Sequence, residues 1–347
     1  MDSKIKFFLG ANSGSDFVTY FKQLQRQNCS MQLLIFKGGP GSGKSSLMKR
    51  VMKFAQAKGH TIEAIACASD PQSLDAVIDH TASFAMMDGT APHTEDPSLP
   101  GARHHIVYTG NLWDTAKLSA NNREIEKLSI DVSDCHKGAG AYIKGAAALL
   151  SENMRYAEGY VQRKKALAFA NSIIEKLKGS EDSKTEKRLL SAVSVGEIKL
   201  FCETPSAFAD KVFIIDDDIG AASDFILKAI SCGAKLKGES FIYCPCSVMP
   251  KKCDHLIFPD SRIAVVTQNS FLRFNGKAEE EKFYSPLPFA DECITRQKHA
   301  KELLDNACAL VKKAKVIHDD LEAFYIDAMD FSGTDKVFED IIARFYS

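Results

Sequence analysis

Apolar and polar positions divide the chain into short apolar runs and longer helical stretches. Leu33-Leu34-Ile35-Phe36 is an unbroken apolar run of the kind a strand buried on both faces requires. Behind it, Leu47, Met48, Val51, Met52 and Ala55 recur at helical intervals, which puts them on one face of a helix. Thr61–Ala66 and Phe84-Ala85-Met86-Met87 predict two further strands. From about Thr115 to Val195 the pattern turns helical. This region includes Asn122–Leu128 and Ala139–Lys178, where Ala148, Leu149, Tyr156, Val161, Leu167, Ile173, Ile174 and Leu177 have the heptad-like spacing of antiparallel helices. Gly179-Ser180-Glu181-Asp182-Ser183 predicts a loop. A second helical region runs from about Phe289 through Ala300–Val316 and Leu321–Met329, and Ser332-Gly333-Thr334-Asp335 precedes a last helix.

Between the first apolar run and its helix stands Gly38-Gly39-Pro40-Gly41-Ser42-Gly43-Lys44-Ser45. This is the G-x-x-x-x-G-K-[ST] phosphate-loop (Walker A) pattern, in the strand–loop–helix setting that its chemistry needs. Glycines let successive backbone N–H groups turn inward around phosphate oxygens, and the helix N-terminus adds partial positive charge. The expected nucleotide-binding set is Gly38, Gly39, Pro40, Gly41, Ser42, Gly43, Lys44, Ser45 and Ser46. Lys44 is expected at the β- and γ-phosphates and the Ser45 hydroxyl on Mg²⁺. The bland alternative is an ordinary glycine-rich turn; the lysine, the hydroxyl and both flanking elements argue against it.

The pattern recurs 179 residues later, with Leu33–Phe36 lying over Val212–Ile215. Gly41 falls on Gly220, Lys58-Gly59 on Lys237-Gly238, Cys67 on Cys246, Asp75 on Asp254 and Ala85 on Ala264, with no gap from residue 33 to residue 89. Upstream, Ile5-Lys6-Phe7-Phe8 resembles Ile198-Lys199-Leu200-Phe201, as if the second copy lacked the segment from Asp16 to Cys29. Repetition at this period predicts two related domains rather than a solenoid. The second copy lacks the phosphate chemistry, because Asp216-Asp217-Asp218 opens its loop and Ser223-Asp224 replaces Lys44-Ser45. Three aspartates there are expected to repel a nucleotide. A direct Mg²⁺ site on them is the sharper reading, a solvated turn the blander one.

With 347 residues, 45% of them hydrophobic, two domains with ordinary cores are expected. A net charge of −1 offers no electrostatic basis for nucleic acid or an anionic membrane as partner. Ten cysteines without a spaced framework suit a reducing, cytoplasmic setting. The run Ile5–Leu9, broken by Lys6, is too short for a signal peptide, and no stretch approaches the ~18 apolar residues of a membrane span.

A phosphate loop needs an acidic partner at the end of a neighbouring strand to hold Mg²⁺ through water. Asp88, after Phe84–Met87, fits that place, and the second copy has Thr267 there. Asp70, in Cys67–Asp75, is the candidate for positioning a water or accepting a proton. Asp75 persists in the second copy as Asp254, which suits a structural, helix-capping role. Arg103 is a candidate charge-stabilising group against the reading of an exposed loop arginine, and His93, His104 and His105 form a weak metal candidate because no spacing specifies geometry. Cys244, Cys246, Cys253 and His255 resemble a zinc set only superficially, since Cys244 and Cys246 share one strand.

Phe36–Ser45, Ser69–Asp75, Asp88-Gly89-Thr90-Ala91-Pro92-His93, Pro100-Gly101-Ala102 and Gly110-Asn111-Leu112-Trp113-Asp114 together resemble a family of bacterial proteins with tandem P-loop domains, described as ATPases or predicted nucleotide kinases. The resemblance covers nearly the whole chain, and the 88–93 stretch is its more distinctive signature. The chain departs from the family in its degenerate second loop and in Arg103-His104-His105, where acidic or apolar residues are expected. The resemblance implies nucleotide binding.

The expected fold is α/β, with two tandem P-loop NTPase-type parallel-sheet cores, each followed by a helical arm. The expected segments are 1–114, 115–195, 196–285 and 286–347, with the cores packed as an intramolecular pseudo-dimer. The expected function is Mg²⁺-dependent ATP binding and hydrolysis at the first core, with Lys44, Asp88 and Asp70 catalytic and Ser45 and Asp88 holding Mg²⁺. Absence of an N-K-x-D motif favours ATP over GTP. One rival is a kinase for a nucleotide or small molecule, with arm residues Arg123, Arg155 and Arg163 too scattered to decide it. The other is a nucleotide-gated binding module for an unidentified protein or small-molecule partner.

Overall fold

The computed structural model describes residues 3–26, 31–180, 183–276 and 282–346. Glu181 and Asp182 of the expected loop, and residues 27–29 of the segment expected to be missing from the second copy, lie outside the described residues. The strands are β1 (Ile5–Phe7), β2 (Gly10–Ser13), β3 (Asp16–Thr19), β4 (Gln32–Lys37), β5 (Ile62–Ala66), β6 (Leu74–Asp79), β7 (Phe84–Asp88), β8 (His104–Tyr108), β9 (Thr185–Lys187), β10 (Ser191–Val193), β11 (Ile198–Leu200), β12 (Lys211–Asp216), β13 (Phe241–Pro245), β14 (Cys253–Phe258) and β15 (Ile263–Gln268). The helices are α1 (Lys44–Ala57), α2 (Thr115–Ala120), α3 (Asn122–Ala157), α4 (Arg163–Ile174), α5 (Thr204–Phe208), α6 (Ala221–Leu236), α7 (Ala290–Asp327) and α8 (Ser332–Phe345).

These elements form two compact units. One contains the residues up to Gly10, Thr19–Gly138 and those from Leu310 on; the other contains Ala11–Val18 and Ala139–Ala309. Neither unit is a single stretch of sequence, because α3 and α7 each lend residues to both.

In the first unit the sheet order is β1-β5-β6-β7-β4-β8. Strand β4 is an interior strand, between β7 and the edge strand β8, and its four apolar residues are buried, as a strand covered on both faces requires. It runs parallel to β7 and β8. Strand β6 is antiparallel to both β5 and β7, so the sheet is mixed rather than parallel throughout. The segments 67–73 and 80–83 that join these strands are too short for the crossover a parallel pair needs. Helix α1 buries the face predicted for it, Leu47, Met48, Val51, Met52 and Ala55, against Leu34, Phe36, Val77 and Met86. Helix α8 closes the same core with Ile341, while Phe345 stacks on Phe84 at 4.2 Å between ring centroids.

In the second unit the sheet order is β12-β15-β14-β13-β9, matching β4-β7-β6-β5-β1 in order and in the direction of every pair. The registers agree as well, since Gln32 faces Phe84 and Lys211 faces Ile263. Among the described residues no strand stands where β8 would. Two expectations are corrected here. The helical region does not extend to Val195: it ends with α4, and β9 and β10 follow. The counterpart of β1 is β9, which pairs with β13 as β1 pairs with β5. The β10–β11 hairpin then answers the β2–β3 hairpin, so Ile198–Phe201 is not a second copy of Ile5–Phe8. A four-residue apolar likeness cannot set register; the ladder does.

Candidate functional site

Strand β4 delivers the 38–45 loop to the N-terminus of α1. Gly41 (φ 64°) and Gly43 (φ 75°) take the left-handed conformation that closes the turn and that other residues resist. At Gly38 a side chain would strike Thr109 Oγ1. Lys44 is 8% exposed and its ammonium is folded onto the loop, 3.1 Å from Gly38 O, 2.7 Å from Gly39 O and 3.3 Å from Ser42 Oγ. Its fourth neighbour is Asp88 Oδ2 at 3.5 Å. The other Asp88 oxygen accepts from Thr90 N (2.9 Å) and Thr90 Oγ1 (2.5 Å). The Ser45 hydroxyl oxygen accepts from Leu74 N at 2.9 Å, which ties the loop to the start of β6. Pro40 is half-buried and Ser46 exposed. Lys44, Ser45 and Asp88, 44 residues apart at most in sequence, thus converge at the same end of the sheet.

The flanking acids behave differently from expectation. Asp70 is held in its own turn, accepting from Gln72 N (3.1 Å) and Ser73 Oγ (3.0 Å), and lies 3.6 Å from Lys315 Nζ. Asp75 caps no helix. It is a buried residue of β6, 3.1 Å from His93 Nε2. Burial alone would lower the His93 imidazole pKa; the Asp75 carboxylate, aided by Asp88, raises it instead. Burial, with Asp75 beside it, also pushes the Cys67 thiol up.

Arg103, His104 and His105 stand at the wrong end of the sheet for phosphate chemistry. β8 runs parallel to β4, with His104 facing Leu33 and Tyr108 facing Lys37, so the loop lies past the far end of the strand. A strand of this length separates the two by roughly 13 Å. The Arg103 carbonyl accepts from Leu33 N at 2.9 Å, and His105 meets Arg344. The three histidines therefore do not form one metal site.

The C-terminal part of α7 supplies the contacts that sequence reasoning missed. Glu322 Oε1 accepts from Gly41 N at 3.1 Å. A side chain at Gly39 would meet the Tyr325 ring, and one at Gly41 the Glu322 carbonyl. Tyr325 in turn packs edge-on against Trp113 at 5.6 Å. His318, Asp319 and Glu322 bring ligand-type atoms within 4.8 Å of one another. Their carboxylates are already engaged, Asp319 by Lys315 and Glu322 by Gly41. Burial works against the Lys315 charge, but Asp319 and Asp70 hold its pKa above the usual value. Helical periodicity marked Leu321–Met329 as helix and nothing more.

In the second unit the equivalent loop is filled from within. Asp217, 5% exposed, accepts from Ile219 N (3.2 Å), Gly220 N (2.8 Å), Ser223 N (2.8 Å) and Tyr284 Oη (2.9 Å). One of the three aspartates is thus itself the anion on the loop amides. Burial and this carboxylate push the Tyr284 hydroxyl pKa up. Lys252 and Asp254 form a buried ion pair. Cys246 and Cys253 are pushed to about 12, chiefly by burial, and Cys253 Sγ donates to His255 O. Among the described residues, no metal-type cluster includes these cysteines. A cavity of about 470 Å³ lies nearby, lined by Ile219, Phe271, Leu287, Cys293 and Lys298.

No family model, curated protein or solved structure matches the chain. Among the described residues, no helix is long and apolar enough to cross a membrane.

Proposed function

We propose that the first unit is a tandem P-loop NTPase core that binds a nucleoside triphosphate, ATP, with Mg²⁺ at the 38–45 loop and hydrolyses it, the second loop being inactive. The observation that carries this reading is Lys44 Nζ lying 3.5 Å from Asp88 Oδ2, at a loop with left-handed Gly41 and Gly43 that opens directly into α1. An ammonium, a hydroxyl and a strand-end carboxylate are the donor set that Mg²⁺-phosphate requires. Ser45 and Asp88 would hold the ion, which would neutralise phosphate charge. Lys44 would move from the loop carbonyls to the phosphates, and with the loop amides would stabilise the charge that grows on them. Water oxygen bonds to the γ-phosphorus, the bridging P–O bond breaks, and the water proton leaves to phosphate. Asp70, held by Ser73 and Lys315, carries no step here.

A second reading, a nucleotide-gated binding module with little turnover, is favoured by the Glu322 contact on the loop. Both are tested by phosphate release from ATP with Mg²⁺, with and without nucleoside monophosphates, alongside Lys44→Ala. Release lost in the variant supports the hydrolase. Tight binding without release supports the module, ADP formation dependent on a monophosphate supports a kinase, and no nucleotide binding overturns all three.

A further inference from the structure

Gly41 and Gly220 occupy equivalent places in the repeat, and each gives its N–H to a carboxylate. The two acceptors are held differently. Asp217 belongs to the loop it fills, is almost fully buried, and is fixed by three amides and Tyr284. Glu322 arrives from α7, 281 residues away in sequence; its side chain is 33% exposed, and Gly41 supplies its one loop amide. Beside it, Tyr325 and Ile326 lie against the outer surface of Gly39 and Gly41. A phosphate chain entering the loop needs these same inward amides, and its charge would face the Glu322 carboxylate.

We propose that Glu322 is a displaceable internal anion: it latches the end of α7 over the 38–45 loop, and nucleotide binding both requires and drives release of the segment from about His318 to Phe331. This rests on the nucleotide reading above. A single hydrogen bond accepted by a carboxylate one-third exposed is weak enough for a triphosphate, which engages several amides and Lys44, to replace it. A ligand shifts such an equilibrium only by its differential affinity for the two states, so the latch lowers apparent affinity by the fraction of molecules held shut. The buried Asp217 has no such exchange open to it, which accounts for a permanently filled loop in one copy and a guarded one in the other.

The experiment compares the full chain with Glu322→Ala, Glu322→Gln and Lys44→Ala, measuring the Kd of a fluorescent ATP analogue with Mg²⁺ and amide exchange over residues 318–331. The Ala variant is expected to bind roughly tenfold or more tightly, the Gln variant to lie between it and the natural chain, and Lys44→Ala to lose binding. Exchange over 318–331 should quicken in Glu322→Ala without nucleotide, and in the natural chain on adding the analogue. Unchanged affinity in Glu322→Ala, with binding still dependent on Lys44, overturns the latch and leaves the nucleotide reading standing. Faster exchange in Glu322→Ala with no binding by any form overturns the nucleotide reading, and the coupling with it. Neither effect overturns both.

Discussion

The Asp217 carboxylate accepts a 2.8 Å hydrogen bond from the N–H of Gly220, the residue that the repeat pairs with Gly41. Its two oxygens together satisfy three loop amides and the Tyr284 hydroxyl. Asp217→Asn replaces one acceptor oxygen by a donor and removes the charge. A loss of about 2–4 kcal/mol in unfolding free energy is expected, read from urea titrations by circular dichroism. A loss below about 1 kcal/mol would show that the loop amides do not depend on this anion.

Ser45 has one contact in the structure and a second duty in the proposed function. Its oxygen accepts from Leu74 N, and with nucleotide bound it would turn to Mg²⁺. Ser45→Ala should cost about 1 kcal/mol of stability through the orphaned Leu74 amide. It should also raise the Mg²⁺ concentration needed for half-maximal ATP turnover by about tenfold or more. A metal titration that superimposes on that of the natural chain would remove Ser45 from the metal set.

His255 is buried, takes a hydrogen bond from Thr267 N on Nδ1, and is held neutral, its pKa lowered to about 4 chiefly by burial and further by the Lys252 ammonium. A histidine depressed in the folded state favours the fold above its unfolded value near 6.5, and that contribution is lost as pH falls towards 4. The natural chain should therefore lose stability between pH 6.5 and 4, by an amount on the order of 2–3 kcal/mol from this group alone. Urea midpoints at pH 7 and pH 4.5 should differ less for His255→Gln. An equal difference would place the acid sensitivity elsewhere.

Ile341 is 3% exposed in the core of the first unit, beside Leu34 and Met52. Ile341→Ala should cost about 2–4 kcal/mol through lost burial and the cavity left behind. Trp113, the chain's one tryptophan, lies in that unit and reports its unfolding by fluorescence. A change under about 1 kcal/mol would mean that α8 docks without contributing to the core.

Legibility from sequence followed the range over which each interaction acts. Strands β4 and β7 and the buried face of α1 were readable because each is a local pattern, and the fixed shift that relates Leu33 to Val212 carried them into the second unit. Strand β6 was missed because Asp75 and Asp79 interrupt its apolar run; both are buried with partners, His93 and His60, that only the folded sheet supplies. Asp217 was noticed for its charge, but whether a carboxylate faces outward or folds back on its own amides is decided by a rotamer and by Tyr284, 67 residues further on. Glu322 carries no local mark, since its partner Gly41 is brought to it by the fold alone. Arg103 was misplaced because proximity in sequence to Asp88 said nothing about which end of β8 it would begin.

Ala11–Val18 belongs to the second unit, where Gly14 bonds Val248, while the first unit is completed by residues beyond Leu310. Residues 11–18 thus wait for partners made more than two hundred residues later, and the sheet of the first unit waits for Ile341. Neither unit can finish while the ribosome is still adding the middle of the chain. Apolar strands of the nascent chain then stay exposed until those later segments emerge, so this chain should lean on chaperones that guard long-lived intermediates more than a pair of consecutively folding domains would.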